Sequence, residues 1–213
     1  MANFKTQVED LTGSLNDDAA ITQWLTDGAR LMLNVLPLSI LSRVASTTNY
    51  TTPVNVEGKK IISVLRKDST LFLSYDKYMP CRELSPSFIG KVQDEDYMEY
   101  ASASDPAYII ENNLLTIYPA SADGKIVNIN TSITVDYNSS SITNFPDEAE
   151  FAVVLYAARN GLERLISNLN VDEDPELAAS YINQYTLIDR RYKEALQLLG
   201  IEKIYVEKKL SNN

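Results

Sequence analysis

Phe4, Val8 and Leu11 repeat at i, i+4 and i+7, the spacing of one helix face, and Thr12-Gly13 follows as a stop. A second helix is predicted to start at Asn16-Asp17-Asp18, whose short polar side chains can accept from the free N–H groups of a first turn. Ile21, Trp24, Leu25, Gly28, Met32, Val35 and Leu36 then share a face. Pro37 stops or kinks this helix, and residues 38–45 add a further turn or two.

The period changes in the block 47–141. Residues 54–56, 60–66 and 70–75 are short β-branched or aromatic runs separated by turn formers, and each reads as a strand. Asp105-Pro106 opens the run 107–110, and Glu111-Asn112-Asn113 makes a tight turn into 114–118, which predicts a hairpin. Asp123-Gly124 turns into a long alternating strand over 125–137, and 86–92 reads as a brief helix.

Helical spacing returns in 142–200. Pro146 suits a first helical position, with Asp147, Glu148 and Glu150 placed to favour the helix dipole. Phe151, Leu155, Ala158, Leu162, Leu165 and Ile166 share one face. After a break at 168–174, Pro175 starts a last helix with a wide apolar stripe: Leu177, Ala178, Tyr181, Ile182, Tyr185, Ile188, Tyr192, Ala195, Leu196 and Leu199. Asp189–Lys193 and Arg190–Glu194 are i, i+4 pairs on its outer side, and Gly200 ends it. The order predicts an α+β fold: a helical bundle body from 1–46 and the hairpin 142–200, an inserted antiparallel β-rich domain at 47–141, and a tail at 201–213.

Composition narrows the function classes. Hydrophobic residues make up 45% of the chain and charged residues 23%, an ordinary globular balance. Nothing approaches the roughly 18 consecutive apolar residues of a membrane span, so no membrane partner is expected. Met1 to Lys5 carries no apolar run, so no signal peptide is read, and synthesis in a reducing cytoplasm fits one cysteine. A net charge of −10 argues against general nucleic-acid binding, which needs Lys and Arg on phosphates. It is compatible with an acidic wall past which DNA slides, and also with plain solubility.

The absence of histidine removes Ser-His-Asp, Cys-His and His-based zinc sites, and Cys81 has no second thiol. No Gly-rich phosphate loop occurs. Asn170, Asp172 and Asp174 match the first alternating ligands of a calcium loop, but Pro175 stands where its glycine belongs and the final Glu is missing. Asp94-Glu95-Asp96 offers paired carboxylates in principle, though adjacent acids in a polar stretch are usually solvated. Three glycosylation sequons, at Asn49, Asn130 and Asn138, read as chance matches without a secretion signal. No catalytic residue, cofactor or metal is expected, and the chain reads as a non-enzyme.

Two features point to assembly. Thirteen tyrosines is a high count, and Tyr75, Tyr78, Tyr97, Tyr100, Tyr108, Tyr118 and Tyr137 fall in the β block. Tyrosine suits interfaces, and equally suits half-buried strands. After Gly200 the tail alternates apolar and polar residues, a pattern of segments that add a strand or helix to a neighbouring chain, or of a frayed terminus.

The helical pair ending near Asn34-Val-Leu-Pro37, then Met79-Pro-Cys-Arg-Glu-Leu84, Asp105-Pro-Ala-Tyr-Ile-Ile110, Leu114-Leu-Thr-Ile-Tyr-Pro-Ala120 and the helices opening at Phe145-Pro-Asp-Glu-Ala149, resemble head–tail adaptor (connector or neck) proteins of tailed bacteriophages. The resemblance covers most of the chain in order and short phrases. It implies a virion structural protein at the neck, a homo-oligomeric ring, commonly a dodecamer, bound to the portal protein and to a downstream tail or neck protein. DNA passes through its channel, during genome ejection, without sequence-specific binding. The portal-binding segment it implies here is Ile201, Lys203, Ile204, Tyr205, Val206, Lys208, Lys209 and Leu210. The other reading of the same logic is a stopper, tail-terminator or baseplate subunit. A non-catalytic host-interaction protein is the different class.

Overall fold

Helix caps written into the sequence set the limits of the helical elements in the computed structural model, which describes residues 2–50, 53–67, 77–120, 123–169 and 174–201. The chain divides into two compact units, one of Met1–Val44 with Ser132–Asn213 and one of Ala45–Thr131, and the fold is mixed α+β.

In the helical unit, α1 (Phe4–Thr12) starts where the Asn3 side chain accepts the Thr6 N–H, and ends at Gly13 in the left-handed region at φ 79°. The Asp17 side chain accepts the Ala20 N–H at 3.0 Å and starts α2 (Asp18–Val35), which stops before Pro37. One turn follows as α3 (Leu38–Leu41). Pro146 occupies the cap of α4 (Asp147–Asn168) rather than its first position, and Asp147, Glu148 and Glu150 fill the first turn as expected. Asp174 accepts the Leu177 N–H at 3.0 Å and Pro175 takes the first position of α5 (Pro175–Leu198).

Helix α4 is the centre of this unit, with α1, α2 and α5 all packed on it. Alanine and glycine let them come close: Ala149, Ala152, Ala157, Ala158 and Gly161 are buried beside Val153, Val154, Leu155 and Leu162. Phe151 departs from the expected core face and is 55% exposed. Its spacing from Leu155 is right, but three neighbouring helices already occupy the other sides of α4. The first turns leave open only the strip of Asp147, Glu148 and Phe151. The stripe on α5 is likewise narrower than its composition. Ala178, Ile188, Tyr192 and Leu196 are buried, whereas Leu177 and Ile182 are exposed.

The long alternating strand predicted through Tyr137 ends at Asn130. From Ser132 the chain runs across the helices instead. The Val135 N–H donates to Thr26 Oγ1 at 3.0 Å, and Arg30 Nε donates to the Ile133 carbonyl at 3.0 Å. The carbonyls of Ser139 and Tyr137 accept the Phe4 and Lys5 N–H groups, which a helix start leaves unpaired. Ile133 and Val135 are buried, so their alternation is real but faces helices rather than a second sheet.

The β unit holds two four-stranded sheets among the described residues. The first has the order β1 (Ser46–Tyr50), β8 (Gly124–Asn130), β3 (Lys59–Lys67), β4 (Tyr78–Pro80), all antiparallel. The second has the order β2 (Val54–Asn55), β7 (Leu114–Tyr118), β6 (Ala107–Glu111), β5 (Arg82–Leu84), in which β5 and β6 run parallel. Asn112 and Asn113, at φ 50° and 61°, make the two-residue turn of the β6–β7 hairpin. Cys81 carries the chain from one sheet to the other. Its N–H donates to the Val64 carbonyl at 2.8 Å, while the Arg82 N–H donates to the Pro106 carbonyl at 2.9 Å. The predicted strand at 70–75 lies outside the described residues. The expected helix at 86–92 is a single tight turn over Pro86–Phe88.

Tyr50, Val64 and Ile126 from the first sheet and Tyr108, Leu115 and Ile117 from the second form one core, joined by Val56. A smaller core of Val92, Ala101, Ala107 and Ile109 lies on the opposite face of the second sheet. Residues 107 to 110 therefore alternate between two cores, which explains why that run is apolar throughout.

Candidate interaction surfaces

The helix stop at Gly200 fixes the start of the predicted portal-binding segment. Gly200, at φ 76°, donates its N–H to the Gln197 carbonyl at 2.9 Å, and the Ile201 N–H donates to the Leu196 carbonyl at 3.0 Å. These are the paired bonds of a Schellman stop, which puts the residue after glycine against the helix's last turn. Ile201 is accordingly only 4% exposed and belongs to the core of the helical unit. Lys203, Ile204, Tyr205, Val206, Lys208, Lys209 and Leu210 lie outside the described residues.

On the second sheet, the excursion between β5 and β6 covers β6 and leaves the outer face of β7 partly open. A groove of about 330 Å³ remains, floored by Thr116 and Tyr118 and walled by Val92, Gln93, Tyr100, Ala101 and Pro119. Arg82 holds the excursion in place. Its guanidinium donates to Asp105 at 3.0 Å and to the carbonyls of Glu99 and Tyr100 at 3.0 and 2.7 Å. At the far end, buried Arg66 donates from Nε to the Pro119 carbonyl at 3.1 Å. The groove joins residues well separated in sequence; the one sequence clue is that β7 carries Leu114 and Tyr118 on its outward face as well as apolar residues inward.

Asp94-Glu95-Asp96 lies in the chain between the wall residues Gln93 and Tyr100. Asp94 accepts the Asp96 N–H at 3.1 Å and shapes a turn. Glu95 accepts the Tyr100 hydroxyl at 3.2 Å, and this bond to its carboxylate holds the Tyr100 pKa above its ordinary value. These acids are thus turn formers and a source of negative potential. Among the described residues no group of three or more His, Cys, Asp or Glu side chains is placed to hold a metal ion. Asp174, the described member of the calcium-like pattern, is spent on capping α5. Close by, Lys91 lies 5.7 Å from the Phe88 ring centre and 5.2 Å from that of Tyr97, and Met98 is 98% exposed.

Several other titratable groups among the described residues are held by packing and hydrogen bonds. Burial pushes the Cys81 thiol up to about 11, so at neutral pH it is a protonated packing group and a poor nucleophile. Burial, then the neighbouring Glu83 carboxylate, raises the Tyr108 phenol, whose hydroxyl donates to Glu83 at 3.0 Å. Between α4 and α5, Arg159 donates to the Tyr185 hydroxyl at 3.2 Å and stands 3.6 Å from Asp189, which also pairs with Lys193. The expected Arg190–Glu194 pair forms at 3.7 Å. The tyrosines divide in the same way: Tyr108 is core, Tyr97 is exposed, and Tyr137 packs under Lys5 in the helical unit. Among the described residues no helix is long and apolar enough to cross a membrane.

Scanned against protein-family models the chain matches none, and a search of the curated proteins returns no match either.

Proposed function

We propose that this chain is a virion structural protein, a head-to-tail adaptor forming a ring between the portal and the tail or next neck ring. The observation that carries the reading is the construction of the helical unit. Segments from both sides of the β unit, residues 1–44 and 132–201, build one bundle around α4, and the β unit is an insertion into it. The resemblance to adaptor proteins implies helical bodies that pack side by side around a channel, and a bundle built from both ends of the chain supports the reading by supplying such a body. In this reading the protein is non-enzymatic and needs no cofactor. Copies assemble side by side around a channel, and the net charge of −10 keeps DNA moving through it rather than held.

The portal contact is assigned to the segment after the Schellman stop. Ile201 is its root, fixed in the helical unit, and residues 203–210 supply the side chains that meet the portal. A truncation that tests this must therefore end after Ile201, because removing Ile201 itself would uncover Leu196 and the end of α5. The expected result, read by electron microscopy and co-sedimentation, is that the full chain forms rings on the portal of the same virus. The chain ending at Ile201 keeps its helical circular dichroism and loses the portal. Binding unchanged by the truncation overturns the assignment of the segment. Location on a tail tube or baseplate replaces the adaptor with the other ring-forming virion reading.

A further inference from the structure

The groove on the second sheet has a polar and an apolar requirement, and both are met by a segment of this same chain. Its floor and walls are Thr116, Tyr118, Val92, Ala101 and Pro119, and its 330 Å³ is room for one or two aliphatic side chains. Exposed Asp94, Glu95 and Asp96 stand between the wall residues Gln93 and Tyr100, and Glu95 accepts the Tyr100 hydroxyl, which gives this side of the groove an acidic rim. An occupant must therefore present apolar side chains flanked by positive charge. Residues 203–210 read Lys-Ile-Tyr-Val-Glu-Lys-Lys-Leu, with three lysines, one acid and four apolar or aromatic residues. In an extended segment Ile204 and Val206 project to one side, spaced to enter one groove together, and Lys208 and Lys209 follow at the end.

We propose that residues 203–210 of one copy dock in this groove of a neighbouring copy, with Ile204 and Val206 entering it and the lysines facing the acidic rim. The contact joins two different patches, so repeating it from copy to copy closes a ring where the rotation permits. The inference rests on the ring-forming part of the proposed function. It competes with the portal contact for the same residues, since a segment held by a neighbour reaches the portal only on release.

The test uses the full chain with a photo-crosslinking amino acid in place of Gln93, an exposed residue on the groove wall. Equal amounts of ¹⁴N- and ¹⁵N-labelled protein are mixed, irradiated and mapped by mass spectrometry. The expected products link the crosslinker to peptides from 203–210 and include isotopic hybrids, which arise only between copies. Lys208→Glu with Lys209→Glu lowers the hybrid yield about tenfold, as like charges now meet, and Asp94→Lys with Asp96→Lys restores it. Links from a single isotope, no links to this segment, or a yield indifferent to both charge reversals would each overturn the proposal. A failure here leaves the portal-binding experiment unaffected, so the two readings are separable.

Discussion

Gly28 and Gly161 both sit at close approaches of α4, yet alanine at the two positions should act in opposite directions. A Cβ built on Gly28 falls 2.8 Å from Tyr156 Cδ1, 3.2 Å from Cγ and 3.3 Å from Cβ. The last two atoms lie near the α4 backbone and cannot swing away, so α2 and α4 must separate. Alanine gains about 1 kcal/mol in helix propensity over glycine. Overpacking of this kind costs about 1–3 kcal/mol. The balance predicts that Gly28→Ala destabilises the helical unit by about 1 kcal/mol. At Gly161 the nearest atoms are the terminal methyls of Leu15, at 2.8 and 3.3 Å, and a Trp24 ring carbon at an ordinary 3.5 Å. Leu15 is half-buried and can turn, so Gly161→Ala keeps most of its gain in propensity and is neutral or stabilising by up to about 1 kcal/mol. Urea denaturation followed at 222 nm measures both. A decisive comparison repeats Gly28→Ala in a Tyr156→Ala background. Removal of the ring leaves only the Cβ contact at 3.3 Å, so most of the penalty should disappear. An identical effect with and without Tyr156 would refute the packing argument.

Three further outcomes follow from the β unit. A Cβ on Gly124 meets the Leu65 carbonyl oxygen at 2.7 Å, a backbone atom, so Gly124→Ala should force β8 from β3 and cost about 2 kcal/mol or more, read as lost amide protection in both strands. Because burial raises the folded pKa of Cys81 to about 11, its neutral form is favoured by folding. That stability is complete below the unfolded value and is lost as pH rises from about 9 to 11, so denaturation midpoints should fall across that window and fall less in Cys81→Ala. Arg82→Ala removes the guanidinium that bonds three acceptors in the excursion, and should raise proteolysis between Ser85 and Asp105 several-fold while leaving the β6–β7 hairpin protected.

Local backbone chemistry made the helix ends legible in sequence. Asp17, Gly13, Pro175 and Gly200 act through one or two hydrogen bonds or a single φ, and nothing distant can easily override them. The β6–β7 hairpin was legible for the same reason, through Asn112-Asn113. What the sequence obscured was which surface an apolar pattern meets. Ile133 and Val135 alternate as in a strand, but alternation only requires a flat apolar neighbour, and helices supply it. Phe151 has the right spacing for the core of α4, but its place was decided by how many helices surround α4. The Schellman role of Ile201 was written in Leu196 and Gly200-Ile201, and reading the tail as one arm from Ile201 onward passed over it. The groove depends on residues 92–101 meeting 116–120, a pairing that only the parallel β5–β6 connection creates.

Localising the chain in intact virus particles tests the adaptor claim most directly. Electron cryomicroscopy of the purified particles, with an epitope inserted beside Asn112-Asn113 in the exposed hairpin turn, would mark each copy. The account predicts a closed ring of label at the neck, directly below the portal. Label at the tail tip or baseplate, or particles that lack the chain altogether, would contradict it.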